Sequence, residues 1–468
     1  MAAAKKAASG SKPRVGKKKA RVAKAAKTAR QKPAKAASVP TSAGTGAASG
    51  QGAKGLRVRM YRVGFGDFFL LTVSTAKGDK HILIDCGVHA VDLGSIQAAV
   101  AQMAADCGKQ LALVIMTHRH ADHISGFAKC SDVFSQITVD RVWMPWFEDP
   151  TNPVATKFQT NLTALAGQLS LRLAARGDQS AAMMDNITGG MGAAGGSGNQ
   201  KALDVLHNGF KNKPAHDFYK AGDPANLPQD LVDAGLTAQL LGPPGDTKLI
   251  AQMTNTADQY LAEAMQDDDE PAKTFLKAFQ ANIYPDHAFK FFAADKVKAL
   301  IDGVRPDVLA ARAQAADKTL NNQSLVILFS FGGKNLLFAG DAQWGNWENF
   351  LYGGAFGTPG HTQMTKQATD ILNSIDFYKV GHHGSRNATP KDAVAAMRHG
   401  CVGMCSTQIG AYNEVPREPL LQALRGRMDG QLARSDQVGV AQKPADPSAG
   451  QVPTNFKSSG TLFIDYDF

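Results

Sequence analysis

LALVIMTHRHADHISGF, residues 111–127, runs a short apolar stretch straight into three histidines and an aspartate within six positions. Leu111 to Met116 has the length and composition of a buried strand, and His118-Arg-His120-Ala-Asp122-His123 begins where that strand must end. Only 12 of the 468 residues are His, so this clustering is not a chance pattern. In extended chain, residues two apart face the same side, so His118 and His120 can meet one ion. A turn into helix at Asp122 brings Asp122 and His123 in from the other side. Imidazole nitrogens with a carboxylate suit Zn, Mn or Fe, and mixed sets of this kind usually keep positions open for water. A structural zinc cage would be closed and often thiolate-rich, whereas no Cys stands in this stretch.

Outward from this loop the pattern is that of a layered α/β fold. LRVRMYRVGFGDFFLLTVST (56–75) reads as two successive strands and KHILIDCG (80–87) as a third, while Gly94 to Cys107 has helical spacing. ITVDRVWMPW (137–146) reads as a further strand. From about 150 to 320 the regular alternation is lost, and the sequence predicts a largely helical insertion, a candidate lid, broken by GGMGAAGGSGN (189–199) and QDDDEP (266–271). Strand signals return in SLVILFSF, KNLLFAGD and IDFYKVGHHGS and end with GTLFIDYDF. Motifs that sit at strand ends are where sites collect in α/β folds.

Charge divides the chain differently. Residues 1–54 hold 14 Lys or Arg and no acid, so the chain's +10 less the arm's +14 leaves −4 for the remaining 414 residues. Rich in Ala, Lys, Gly, Ser and Pro, the arm cannot offset the entropy of folding and is expected to be disordered. Its natural partner is a polyanion, nucleic acid or another phosphate-containing substrate, with a merely solubilising tail as the plain alternative. The longest apolar runs fall far short of the roughly 18 residues of a membrane span, so no membrane association is expected. Five cysteines without a CxxC pair fit a reducing, cytoplasmic compartment. Oligomeric state has no signal in the sequence.

The loop and its flanks resemble the metallo-β-lactamase fold superfamily. Asp85 in ILIDCG, the His118–His123 cluster, Asp341 in NLLFAGD, and His382 and His383 in YKVGHHGS fall in that family's order and span most of residues 55–468. A narrower likeness, in VGFGDFFLL, NNQSLVILFSFGGKNLLFAGD, KVGHHGS and RSDQ, is to the metallo-β-lactamase-type domain of the ComEC competence proteins. The resemblance implies an αββα four-layer sandwich carrying the insertion, and a hydrolase that uses a metal-activated hydroxide. Two divalent ions, Zn or Mn, are implied. Asp122, His123, Asp341 and His382 or His383 would hold one; His118, His120 and the shared Asp341 would hold the other; Asp85 would orient ligands from behind. The implied catalytic groups are Asp122, Asp341 and His383, and whichever of His382 and His383 is not a ligand, with Ser385 and Arg386, is placed to contact a phosphate or protonate a leaving group. A phosphodiesterase or nuclease is the leading expectation. A small-molecule ester, thioester or lactone hydrolase and a nucleic-acid-binding protein with an inactive site are the alternatives.

Two departures accompany the likeness. Where the family carries a further His for the first ion, this chain has Gly242-Pro-Pro-Gly245, leaving Asp246, His207, His216 or His287 as substitutes. Near Tyr412-Asn-Glu-Val-Pro416 a His of the ComEC type is missing. Other features read more plainly: His361 in TPGHT comes after Asp341 rather than before it, His81 and His89 read as strand-end histidines, Trp143 and Trp146 as buried aromatics, and Asp67 as a turn residue at the sheet edge.

Overall fold

The alternation in residues 56–75 becomes an antiparallel pair, β1 (Leu56–Tyr61) and β2 (Phe68–Thr75), joined through VGFG. The computed structural model describes residues 55–89, 93–177, 181–188, 198–250, 319–412, 415–437, 450–459 and 462–468. The arm at 1–54, nearly all of the glycine-rich stretch, the acidic QDDDEP and His287 lie outside the described residues.

Two sheets form a mixed α/β body. The first has eight strands: β3 (Gly78–Cys86), β4 (Gln110–Ile115), β5 (Thr138–Pro145) and β6 (Ala215–Tyr219) follow β2 on one side, and β14 (Phe463–Asp467) then β13 (Lys457–Ser459) lie beyond β1 on the other. The second has six, in the order β12 (Leu432–Arg434), β11 (Val402–Cys405), β10 (Phe377–Lys379), β9 (Lys334–Phe338), β8 (Val326–Phe331) and β7 (Thr237–Gly242). Each sheet joins an antiparallel part to a parallel part: β3 to β6 run parallel in the first, β9 to β12 in the second. The motif loops leave the carboxyl ends of these parallel strands.

Successive side chains of a strand face opposite sides, and the apolar residues sort accordingly. Ile82, Ile84, Leu113 and Ile115 of the first sheet share a core with Ile327, Phe329, Leu336 and Phe338 of the second. On the first sheet's other face, Leu83 and Val114 pack with helices α1 (Ile96–Asp106), α2 (Ala121–Lys129) and α3 (Ser131–Phe134). The insertion adds helices α4 (Pro153–Ala174), α5 (Ala181–Thr188) and α6 (Gly198–Asn208), and α6 joins that same core through Leu203 and Leu206. Helices α7 (Gln229–Ala234) and α8 (Thr247–Ile250) follow. On the second sheet's other face, Leu328 and Leu337 pack with α9 (Trp344–Tyr352), α10 (Lys366–Ser374), α11 (Lys391–Ala396) and α12 (Glu418–Arg427). No helix among the described residues is long and apolar enough to cross a membrane.

The segment expected to be mostly helical also supplies β6 and β7. Both are edge strands; TAQLLG already reads as a strand, whereas in β6 all but Tyr219 are exposed or half-buried, so the apolar alternation that marks a central strand is missing. Two glycines let the end of β3 close on the His118–His123 loop: a Cβ at Gly87 would collide with the backbone of Asp122 and His123, and one at Gly126 with the Cys86 thiol and carbonyl. Cys86 is completely buried beneath α2.

Candidate metal centre

Each motif residue is delivered by a strand end. β4 releases Thr117 and His118 in extended chain; His120 is the residue that starts α2, and Asp122 lies in that helix's first turn, where the N-terminal dipole favours a carboxylate. Asp85, next to last in β3, has φ 54°, a left-handed conformation that aims its carboxylate across to the loop. There it accepts hydrogen bonds from the Thr117 amide (2.7 Å) and hydroxyl (2.6 Å) and from His123 Nδ1 (2.7 Å). A proton held on Nδ1 leaves Nε2 of His123 facing inward, 3.1 Å from Asp341 Oδ2.

Asp341 follows β9. Its backbone N–H donates to Ser324 Oγ (3.0 Å), and its Oδ1 accepts from the His382 amide (3.1 Å), so Oδ2 is the oxygen turned to the cluster. After β10 both His382 and His383 adopt positive φ, 44° and 52°. This turn sends the two rings to different places. His383 donates from Nδ1 to the Ser406 carbonyl (2.8 Å), and its Nε2 stands 3.0 Å from Asp122 Oδ2 and 3.3 Å from Asp341 Oδ2. His382 is instead held by Ser385 Oγ (2.7 Å) and Asn387 Oδ1 (3.1 Å) at Nδ1, with Asn321 Nδ2 3.3 Å from Nε2. Ligand atoms of Asp122, His123, Asp341 and His383 all lie within 4.8 Å of one another, and all four residues are buried. Of the two histidines between which the sequence leaves the choice open, His383 joins this group and His382 does not.

His118 Nε2 and His120 Nδ1 face each other at 3.0 Å. Burial keeps both rings uncharged, lowering the pKa of His118 well below its ordinary value and that of His120 to about 4. The other two histidines behave oppositely. Burial would lower them as well, but Asp341 and Asp85 push His123 well up, and Asp341 and Asp122 push His383 up to about 10. Burial works against the Asp341 charge, yet His123, His383 and Lys379 hold its carboxyl well below the usual range. The raised values of His123 and His383 reflect the buried acids around them, Asp67, Asp85, Asp122 and Asp341, with Lys379 the buried ammonium among these. Two imidazole nitrogens pointing at carboxylate oxygens need a positive charge between them, supplied by protons or by an ion. His123 Nε2 and Asp122 Oδ1 are buried without a hydrogen-bond partner, as ligand atoms awaiting a cation would be. The donor set fits a borderline divalent ion.

Among the described residues, His118 and His120 join no group of three close His, Cys, Asp or Glu side chains. The proposed substitutes are committed elsewhere: His207 and His216 stack on each other at 5.2 Å, and Asp246 is exposed and binds the Lys248 amide (2.8 Å). His361 bonds the Tyr352 carbonyl (2.7 Å), and His81 lies 3.1 Å from Thr72 Oγ1. Trp143 is buried in the core between the sheets, and Trp146 stacks on Phe147 with ring centres 3.9 Å apart.

Sequence reasoning misplaced Asp67 and missed Lys379. Asp67 is buried, not an edge residue; it is ion-paired to Lys379, which also lies 3.5 Å from Asp341 Oδ1. The signal was a lysine inside the apolar run IDFYKV, directly before the histidine pair. The insertion also reaches the loop: Asn186 Oδ1 of α5 accepts the Asp122 amide (3.1 Å), and Asn199 Nδ2 of α6 donates to the Arg119 carbonyl (2.8 Å). Arg119 is further fixed by Glu148, at 2.8 Å from Nε to Oε1. No family model matches the chain, and no curated protein matches it significantly.

Proposed function

We propose that the chain is a metal-dependent hydrolase of the metallo-β-lactamase fold class, most consistent with a phosphodiesterase or nuclease. The observation that carries the reading is the convergence of Asp122, His123, Asp341 and His383 within 4.8 Å, from loops at three different strand ends. The three apolar layers, one between the sheets and one under the helices on either side, support the αββα reading.

In this proposal Asp122, His123, Asp341 and His383 would hold one divalent ion, Zn or Mn, and His118 and His120 with Asp341 would hold a second. When bound, such ions supply Lewis acidity and activate water near neutral pH. The chain's own residues do the rest. Asp85 fixes the His123 tautomer, and the Ser406 carbonyl fixes that of His383. His382, half-buried beside the cluster and oriented by Ser385 and Asn387, would hydrogen-bond a substrate oxygen. Because the body is mildly acidic, the arm of residues 1–54 is what gathers a polyanion.

The test is cleavage of single-stranded DNA, double-stranded DNA and RNA by the chain loaded with Mn or Zn, beside an Asp341→Ala control. Metal-dependent cleavage absent from the control is expected. Equal behaviour of the two proteins on nucleic acid, with turnover of an ester, thioester or lactone panel, replaces the substrate class and keeps the hydrolase. Salt-sensitive nucleic-acid binding that needs residues 1–54, with no turnover under any metal, overturns the enzymatic reading.

A further inference from the structure

We infer that Lys379 and Asp67 form a fixed pair of opposite charges whose task is to set how tightly the centre holds its divalent ion. Lys379 ends β10, and its Nζ donates to the Gly340 carbonyl at 2.9 Å and lies 3.5 Å from Asp341 Oδ1. Its remaining contact is the ion pair with Asp67, and both side chains are only 2% exposed. Asp67 is fixed as firmly: its amide donates to the Asp122 carbonyl (2.8 Å), and its own carbonyl accepts from the Gly87 amide (2.9 Å). Its carboxylate lies behind both imidazoles, with Oδ1 3.6 Å from His383 Nδ1 and Oδ2 3.7 Å from His123 Nδ1. Oδ1 has no hydrogen-bond partner.

The pair is thus oriented, its ammonium toward Asp341 and its carboxylate toward the rear of the two histidines. Neither group belongs to the four-ligand set, and a charged ammonium has no lone pair to offer an ion. What each contributes is charge at short range in a low-dielectric interior, where a unit charge counts most. Lys379 opposes a cation held by Asp341, and Asp67 favours one held by His123 and His383. Asp67 also lies in a second close group, with Asp85 and His123, but removing either member of the pair changes the local charge by one unit and leaves Asp122, His123, Asp341 and His383 in place. A merely structural pair gives weaker ion binding in both variants; a charge pair gives opposite signs.

The inference rests on the metal reading above, and the experiment separates the two. Zn²⁺ affinity is measured on metal-stripped chain by competition with a chromophoric chelator, for wild type, Lys379→Met, Asp67→Asn and the double variant. Lys379→Met is expected to bind Zn²⁺ about tenfold or more tighter, Asp67→Asn about tenfold or more weaker, and the double variant within about threefold of wild type. Wild type that takes up no Zn²⁺ removes the metal reading and this inference with it. Wild type that binds while both single variants shift the same way, or neither shifts, overturns the charge pair alone. Where Lys379→Met does not fold, the double variant decides: affinity within about threefold of wild type supports the pair, and any larger loss overturns it.

Discussion

The quartet Asp122, His123, Asp341 and His383 and the pair His118 and His120 come from the same few loops but are held differently. Every member of the quartet is gripped from behind: His123 by Asp85, His383 by the Ser406 carbonyl, Asp341 by Ser324 and the His382 amide, Asp122 by Asn186. His118 has only hydroxyls at its Nδ1, Thr117 at 3.2 Å and Ser324 at 3.3 Å. The quartet includes two buried carboxylates, whereas the pair is two uncharged rings. An anionic, pre-oriented set attracts a dication far more strongly than two neutral imidazoles. Ion binding is therefore expected to be ordered, with the quartet filling first.

The strongest way to break this contrast is to remove Asp341, which the proposal assigns to both sets. Asp341→Ala is expected to abolish tight binding of any ion and to cut turnover on the order of a thousandfold, read by metal content after dialysis and by steady-state rates. Retention of a full complement of ions would place the centre elsewhere. Stability offers a second handle. In the metal-stripped chain His123 and His383 carry raised pKa values, His383 up to about 10. A raised folded-state value gives stability that is complete below the unfolded imidazole value of roughly 6.5 and lost as pH rises toward the folded one. Metal-stripped protein should lose stability from about pH 6.5 to 10, and the loss should flatten with ion bound, because the ion replaces the protons. Thermal unfolding across that range measures it; identical slopes with and without ion would mean the ion does not enter the quartet.

Smaller changes sharpen the contrast. Asp85→Asn should cost about ten- to a hundredfold in affinity for the tight ion, through a misoriented His123, while leaving the fold intact. His118→Ala should lose the second, weaker ion and leave the affinity of the first within about threefold, as calorimetric titration resolves; loss of both at once would make the two sets a single unit. His382→Ala should leave ion content unchanged and lower turnover only, the reverse of His383→Ala, whose ion binding should fail.

The contrast was only partly legible in the sequence. The motif strings identify Asp85, Asp122, His123 and Asp341 because each sits within a few residues of an apolar strand, and strand ends fix position locally. The choice between His382 and His383 depends on left-handed backbone at both residues, which sends neighbouring rings to different partners, and no local pattern encodes it. Lys379 and Asp67 escaped because their pairing joins β10 to the loop after β1, and a pairing over that separation exists only in the folded chain. β6 went unread for a different reason: at a sheet edge there is too little apolar alternation to see.

Cys86 lies completely buried beneath the helix that carries Asp122 and His123, its sulfur filling the space a side chain on Gly126 would take. Burial also raises its pKa, so the thiol is slow to react even where a reagent arrives. Alkylation at this position must wait for that helix to lift away from β3. Its rate is a stopwatch for the opening of the loop that carries Asp122 and His123, and an ion that tied this loop to Asp341 and His383 would lengthen the interval between openings. The grip of the centre can thereby be timed on a cysteine that takes no part in it.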